Sequence, residues 1–148
     1  MINRKENDSL LIIEKVLLLK SLSIFADTPE TILAEMAALM REKEVVAGAD
    51  IFKEGDFGNC MYIIYRGKVS IHKTGKPVAS LHERNFFGEL SLLDAETRSA
   101  SATAETDCFL YVLEQEPFYE LLELRPDVAR GIIRILCNRL RSALTRQG

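Results

Sequence analysis

The 148-residue sequence contains few of the residues from which metal centres are built. It has three cysteines and two histidines, and no two cysteines stand in a Cys-x-x-Cys spacing. A zinc site usually takes four such ligands at short spacings, so no metal site is expected. Cys60, Cys108 and Cys137 are odd in number, far apart and set among apolar residues. We therefore expect reduced, buried thiols, which are typical of a cytoplasmic protein.

Catalytic motifs are also missing. The sequence shows no serine–histidine–carboxylate set and no glycine-rich Walker loop. We therefore expect no catalytic residue, no enzyme activity and no cofactor.

Long hydrophobic runs and a strong charge of one sign are absent as well. The apolar run Leu10–Leu19 is interrupted by Glu14 and Lys15 and is too short to span a bilayer. No small-residue cleavage site follows it, so a signal peptide is not expected either. The net charge of −3 argues against a surface devoted to nucleic acid. An anionic ligand would have to be held by local features.

Three segments of different character follow one another along the chain. Residues 1–42 are predicted to be helical, because apolar residues recur there at helical spacing. Residues 43–114 contain short β-rich runs broken by glycine, which is typical of a closed or sandwiched β unit. Residues 115–148 return to a helical pattern. No repeat or low-complexity linker separates the segments, so we expect one structural domain.

The boundaries of individual elements follow from turn residues and prolines. Helices are predicted over Leu10–Lys20 and from Pro29, Pro117 and Pro126 onward. Strands are predicted over Cys60–Tyr65, Val69–His72, Val78–His82 and Cys108–Leu113, with Gly75-Lys76-Pro77 as the turn before the third of them.

The most informative stretch is Phe87–Ala100, hereafter the cassette. Gly88 lets backbone approach a ligand closely or take an unusual dihedral angle. Glu89–Leu93 can form one helical turn whose free N–H groups point beyond its start. Glu89 can accept hydrogen bonds from paired hydroxyls, and the guanidinium of Arg98 can bind a phosphate. The cassette therefore suits a small ligand with a sugar at one end and a single phosphate at the other.

The cassette resembles the phosphate-binding cassette of the cyclic-nucleotide-binding domain family. That family includes the regulatory subunits of cyclic-AMP-dependent kinase, the bacterial catabolite activator and cyclic-nucleotide-gated channels. A second block, Ile51–Val69, is similar to the family's glycine-punctuated β-roll segment. The resemblance runs from about Leu19 to about Arg141. It implies an α+β fold, with an antiparallel jelly-roll-like β-roll flanked by N-terminal helices and a C-terminal helix pair.

The resemblance also implies ligand contacts. Arg98 matches the family's arginine for the exocyclic oxygens of the cyclic phosphate, and Glu89 matches the carboxylate that takes the ribose 2′-hydroxyl. The expected ligand-binding set is Gly88, Glu89, Leu90, Arg98, Ser99 and Ala100. Taken singly, Arg98 has a structural alternative as a surface partner of Asp94 or Glu96, and Glu89 as a helix-start acid. In an empty site, Glu89 and Arg98 can also pair with each other.

Residues outside the cassette have expected roles too. Gly55, Gly58 and Gly67 are predicted to be turn glycines without ligand contact, and Val69 and Ile71 are candidates for the base pocket. Many family members have a glycine just before the cassette, where this chain has Arg84-Asn85. Because asparagine tolerates positive φ, we expect Asn85 to preserve that turn.

The C-terminal helices are the expected output of the sensor, since ligand binding biases a two-state element. By resemblance, Phe118, Leu121 and Leu122 would pack on the cassette, and the helix from Pro126 would act as a lid. Leu136, Arg139 and Leu140 are candidates to cover the purine, although each can equally be a core or dimer contact.

These observations predict a cytoplasmic cyclic-nucleotide-binding regulatory module, with cyclic AMP favoured over cyclic GMP. One alternative is an interaction domain that keeps the β-roll without a ligand. Another is the sensor part of a transcription regulator without its DNA-binding domain. The expected partners are the cyclic nucleotide, an unidentified effector and a second copy bound through the C-terminal helix. Nucleic-acid binding by this chain alone is not expected.

Overall fold

The structure, a computed structural model, describes residues 4–147 and divides into two compact units. The helical unit comprises the described residues up to Ala38 and from Tyr119 onward, and the β unit comprises Leu39–Phe118. The three-segment division expected from the sequence stays a prediction. Within residues 4–147, no helix combines the length and apolar character that crossing a membrane requires.

Five α-helices and one short 3-10 helix are present in the described chain. They are α1 (Arg4–Ser21), the 3-10 helix (Ser23–Phe25), α2 (Glu30–Leu39), α3 (Glu89–Leu93), α4 (Gln115–Leu124) and α5 (Pro126–Gln147). Helix α1 begins six residues before the predicted Leu10, and α5 begins at the predicted Pro126. Helix α4 starts at Gln115, so Pro117 lies in its first turn, where the missing N–H of proline would have no helical acceptor.

The helical unit is held by a small apolar core and a few polar contacts. Leu22, Ile24 and Phe25 around the 3-10 helix are buried, as are Leu33 and Met36 of α2. The guanidinium of Arg125 forms an ion pair with Glu35 at 2.9 Å. Both side chains of that pair are well exposed, so it contributes at most about 1 kcal/mol. Apolar burial therefore supplies most of the stability of this unit.

Ten strands form the β unit. They are β1 (Arg41–Val45), β2 (Asp50–Phe52), β3 (Phe57–Gly58), β4 (Cys60–Arg66), β5 (Val69–Lys73), β6 (Lys76–Leu81), β7 (Phe86–Phe87), β8 (Glu96–Thr97), β9 (Ser101–Ala104) and β10 (Cys108–Glu114). One four-stranded sheet has the order β1-β10-β4-β7, a second has the order β2-β9-β5-β6, and β3 pairs with β8. All pairings are antiparallel. The predicted antiparallel β-roll with flanking helices is confirmed.

Alternation along the strands builds the core of the β unit. In β4, Cys60, Tyr62 and Ile64 belong to one buried cluster, while the intervening Met61 and Ile63 are buried on the opposite face. A strand buried on both faces reads as a continuous apolar run, which is why the sequence pattern located β4 within one residue. The full cluster consists of Val45, Ile51, Cys60, Tyr62, Ile64, Val69, Phe87, Ala102, Ala104, Cys108, Leu110 and Val112.

The hairpin between β5 and β6 differs from the prediction. Lys73 pairs with Lys76, so the loop consists of Thr74 and Gly75, at φ 50° and 78°. Two consecutive residues with positive φ define the tight turn that suits the twist of a hairpin. Strand β6 therefore begins at Lys76, two residues before the predicted Val78.

Candidate functional site

Helix α3 is anchored at its start by Gly88. This residue has φ 80° and ψ 18°, the left-handed conformation that glycine adopts at little cost. A Cβ atom at this position would also lie 2.7 Å from Nη1 of Arg98 and 3.1 Å from the carbonyl oxygen of Cys60. Leu92 of α3 is fully buried, which holds the helix against the roll. Gly88 is thus needed both for its dihedral angles and for the space beside Arg98.

Backbone hydrogen bonds fix the other half of the cassette. The N–H of Arg98 donates to the carbonyl of Asp56 at 2.7 Å, and the N–H of Gly55 donates to the carbonyl of Arg98 at 2.8 Å. Nearby, Phe57 and Gly58 of β3 pair with Thr97 and Glu96 of β8. The glycine-rich block and the cassette therefore form one structural element, although about forty residues separate them in sequence.

The Arg98 side chain is buried, with only 6% of its surface exposed. Its Nη2 donates to the carbonyl oxygen of Cys60 at 2.9 Å, and its Cζ lies 4.3 Å from the centre of the Phe52 ring. Among residues 4–147, neither Nε nor Nη1 of Arg98 has a hydrogen-bond acceptor. A buried guanidinium with two unsatisfied nitrogens is costly, which makes this the most unusual polar group in the described chain.

The sequence alternatives for Arg98 are not what the structure shows. A surface pair with Asp94 or Glu96 is wrong, because Arg98 is buried and bonded to a backbone carbonyl. No ion pair joins Arg98 to Glu89 anywhere in the described structure.

A cavity of about 200 Å³ lies beside Arg98 within the β unit. All six residues of the expected ligand-binding set line it, and so does Ile71. Val69, the other base-pocket candidate, belongs to the buried core and does not line the cavity. The cavity is lined by Phe52, Ile71, Phe87, Gly88, Glu89, Leu90, Ser91, Glu96, Thr97, Arg98, Ser99 and Ala100.

Sequence reasoning missed two features of this site. Phe52 lines the cavity and contacts Arg98, but in the sequence it is one apolar residue of a strand. Gly58 was predicted to be a turn glycine, and this is wrong: it is buried in β3, where a Cβ would lie 2.2 Å from Nε of Arg98. Gly55 and Gly67, by contrast, have the positive φ of turn glycines. The one sequence signal for the position of Gly58 beside Arg98 was its spacing of three residues from Gly55.

Tyr62 packs against the rings of Phe52 and Phe87, both of which line the cavity. Burial and then a hydrogen bond with Cys60 raise the pKa of Tyr62 far above its ordinary value. The phenol therefore stays neutral at physiological pH and adds no negative charge near Arg98. Its ring stacks on Phe87 with centres 5.1 Å apart.

The turn before the cassette is made differently from the expectation. Arg84, not Asn85, takes positive φ, at 71°. The N–H of Arg84 donates to the carbonyl of Ile64 at 2.8 Å, and the Asn85 side chain accepts from the N–H of His82 at 3.0 Å. The turn is preserved, with the strained position one residue earlier than predicted. Arg84 does not line the cavity.

The candidate lid residues lie on α5 in the helical unit. Leu136 is half-buried, Leu140 is 61% exposed, and Arg139 donates from Nη2 to Oγ of Ser23. Phe118 and Leu121 of α4 are buried, as expected of inward-facing residues. The expected packing of α4 on the cassette stays a prediction.

Cys60 and Cys108 are buried as expected, whereas Cys137 on α5 is exposed, which corrects that part of the cysteine prediction.

In residues 4–147, no three or more His, Cys, Asp or Glu side chains are grouped so as to hold a metal ion.

Comparison with known proteins places this chain in a family. The family model described as "Cyclic nucleotide-binding domain" matches residues 42–125, more than half of the chain. The human potassium/sodium hyperpolarization-activated cyclic nucleotide-gated channel 4 is 33% identical over 123 residues, which is 83% of this chain and 10% of the channel. The cyclic AMP receptor protein of Thermus thermophilus is 39% identical over 101 residues, which is 65% of this chain and 47% of the receptor.

A solved structure shares the fold of this chain. The N-terminal domain of a transcriptional regulator from Streptomyces coelicolor A3(2) superposes with a TM-score of 0.82 at 32% identity, covering 87% of this chain and 93% of that one. The present chain spans about a tenth of the channel and about half of the receptor. The matched family model covers more than half of the chain, including the glycine-rich block and the cassette whose residues line the cavity, so this chain belongs to the cyclic nucleotide-binding domain family.

Proposed function

We propose that the β unit binds a cyclic nucleotide, cyclic AMP in preference to cyclic GMP, in the cavity beside α3. The observation that carries this proposal is Arg98, whose Nε and Nη1 are buried without an acceptor at the cavity. Each unsatisfied buried donor costs about 1–3 kcal/mol, and phosphate oxygens would remove that cost. The preference for cyclic AMP is supported by the name of the Thermus relative, a cyclic AMP receptor protein.

The other cavity residues supply the remaining contacts in this proposal. Glu89 accepts from the ribose 2′-hydroxyl, as its match to the family cassette implies. Gly88 and the amides of Glu89 and Leu90 approach the ligand through backbone, because the first turn of a helix leaves its N–H groups without helical acceptors. Ser99 and Ala100 lie beside the phosphate. What supports these roles is that all of these residues line one cavity with Arg98.

The charge balance makes Arg98 decisive. Among the described residues, the cavity lining has one cation, Arg98, and two acids, Glu89 and Glu96. Without Arg98, the charged groups lining the cavity among the described residues would be carboxylates only, in a chain whose net charge is already −3. No histidine lines the cavity, and we propose that the bound ligand is sensed and not chemically changed.

Isothermal titration calorimetry with cyclic AMP and cyclic GMP tests the proposal. We expect wild-type protein to bind cyclic AMP more tightly, and Arg98→Ala to lose at least tenfold in affinity, since hydrogen bonds to charged groups contribute about 1.5–3 kcal/mol each. Arg66→Ala is the matched control, because it removes a positive charge of the β unit from outside the cavity. Absence of binding at millimolar nucleotide would refute the function. Tighter binding of cyclic GMP would refute the preference.

Absence of binding in the wild type would instead favour the interaction-domain alternative. In that case the melting temperature would not move with saturating cyclic AMP or cyclic GMP, because a ligand stabilises a protein only by binding its folded state.

We further propose that the ligand repositions α4 and α5, with α5 as the lid. The exposed thiol of Cys137 offers a probe, since it lies on α5 between the candidate lid residues Leu136 and Leu140. A fluorophore on Cys137 is expected to change emission on addition of cyclic AMP. A labelled Arg98→Ala protein is the control and should not respond. Unchanged emission in wild-type protein that binds cyclic AMP would contradict the repositioning.

Self-association through α5 is the proposed quaternary arrangement. Ile133, Leu140 and Leu144 are each about 60% exposed, and with Cys137 they recur at spacings of four, three and four residues. That spacing is the seam pattern of a two-stranded coiled coil. Sedimentation equilibrium is expected to give a dimer, and Leu140→Glu a monomer. A monomeric wild type would refute the arrangement.

We also propose a role for the chain within a larger regulator and a cytoplasmic location. The Streptomyces structure is the N-terminal domain of a transcriptional regulator, which supports the sensor part of such a regulator as the second candidate role. A cytoplasmic location is supported by three cysteines that form no disulfide in the described chain.

A further inference from the structure

The burial of Arg98 is compensated without a carboxylate. Arg98 is only 6% exposed, yet in residues 4–147 the partners of its guanidinium are the carbonyl oxygen of Cys60 at 2.9 Å, Sγ of Cys60 at 3.5 Å, and the rings of Phe52 at 4.3 Å and Tyr62 at 5.8 Å. A carboxylate partner would neutralise the cation and compete with an anionic ligand. An aromatic face attracts the cation through its quadrupole and carries no net charge. The positive charge of Arg98 is therefore held in place and remains available.

The ring of Phe52 is itself fixed. Its centre lies 5.9 Å from the ring centres of both Tyr62 and Phe87, and those two rings stack on each other at 5.1 Å. Strand β2 holds its backbone by pairing Phe52 with Ala102 of β9. The Phe52 ring that contacts the guanidinium is therefore held in place by Tyr62 and Phe87.

Glycines limit the guanidinium further. A Cβ at Gly58 would lie 2.2 Å from Nε, and a Cβ at Gly88 would lie 2.7 Å from Nη1. Among the described residues, these are the two buried side-chain nitrogens without an acceptor. Gly58 and Gly88 thus lie close against the two unsatisfied nitrogens, which is possible because neither has a side chain, while Phe52 contacts the guanidinium at 4.3 Å.

We propose that Phe52 is a positioning residue for phosphate recognition: its ring holds the guanidinium of Arg98 so that Nε and Nη1 stay directed to the ligand. This inference rests on the proposed cyclic-nucleotide binding. Phe52 then acts through Arg98, and its contribution depends on the aromatic face and not on apolar volume.

Calorimetry with cyclic AMP on Phe52 variants tests this role. Phe52→Leu keeps an apolar side chain without an aromatic face, and a loss in affinity of about three- to thirtyfold is expected from the range of cation–π energies. Phe52→Tyr restores the face and is expected to stay within about twofold of wild type. Phe57→Leu is the matched control, because Phe57 is 70% exposed and does not line the cavity. Should Phe52→Leu fail to fold, Phe52→Met provides the same comparison.

A spectroscopic measurement separates positioning from a merely structural role. Ring current from Phe52 should shift the side-chain Nε–H resonance of Arg98 in the ligand-free protein. Phe52→Leu should move that resonance, and Phe52→Tyr should not. Wild-type protein that binds cyclic AMP, with Phe52→Leu equal to wild type in affinity, would overturn this inference alone. Wild-type protein that binds no cyclic nucleotide would overturn the proposed function and this inference together.

Discussion

Substitution of Gly58 by alanine tests the placement of Arg98 directly. A Cβ built at Gly58 lies 2.2 Å from Nε, 2.5 Å from Cζ and 2.8 Å from Cδ of Arg98, and these are its three nearest atoms. Ordinary contact begins at 3.4 Å, so Nε must move by about 1.2 Å. Gly58 has no positive φ in the structure, so alanine suits its backbone. The whole perturbation therefore falls on the guanidinium.

The magnitude follows from the length of a hydrogen bond. A bond of ordinary length that is stretched by more than 1 Å passes the distance at which it contributes. One charge-assisted hydrogen bond to the phosphate would then be lost, which is worth about 1.5–3 kcal/mol. The affinity for cyclic AMP is expected to fall by about 10- to 150-fold. The melting temperature should change far less, because only one side chain has to move.

Calorimetry on Gly58→Ala and on a matched Gly131→Ala control gives the answer. A methyl group at Gly131 would meet no neighbouring atom within 4 Å, and this residue lies on α5, outside the cavity. Wild-type affinity in Gly58→Ala would refute the argument that Arg98 occupies this position when it binds phosphate.

Three further predictions concern stability and reactivity. Arg84→Gly should raise the free energy of unfolding by about 1 kcal/mol in urea denaturation, because the left-handed conformation at φ 71° strains a non-glycine residue; an unchanged midpoint would contradict that strain. Gly131→Ala should also stabilise the protein, by up to about 1 kcal/mol, since alanine is the better helix former and meets no neighbour; a lower melting temperature would mean that the space beside Gly131 is filled. In a thiol-titration assay on folded protein, Cys137 should react at once while Cys60 and Cys108 react only on unfolding, and rapid titration of all three would show that the core is open.

The sequence was sufficient for the fold class and for the cassette side of the cavity. Short apolar runs between glycines locate the strands because strand burial and turn chemistry are local properties. Gly88, Glu89, Arg98 and Ser99 lie within a dozen residues of one another in the sequence, and all four line the cavity. A short sequence motif was therefore enough to predict these lining residues.

Positive φ was harder to assign. Asparagine tolerates the left-handed region better than arginine, yet Arg84 occupies it. Its N–H donates to Ile64 of β4, and the N–H of Asn85 donates to the carbonyl of His82. These tertiary and turn hydrogen bonds outweigh the preference of a single residue, so a propensity alone could not have located the strained position.

The sequence by itself determined that an arginine, a carboxylate and a glycine stand together on a β-roll, because those residues are neighbours along the chain. Only the tertiary structure decided how Arg98 is held. Phe52 and Gly58 come from a different strand region than Arg98, and they meet it because Asp56 and Gly55 bond to its backbone. The burial that leaves two guanidinium nitrogens unsatisfied arises from these distant contacts. We propose that these two nitrogens, whose missing acceptors no local pattern encodes, make the cavity a site for an anionic ligand.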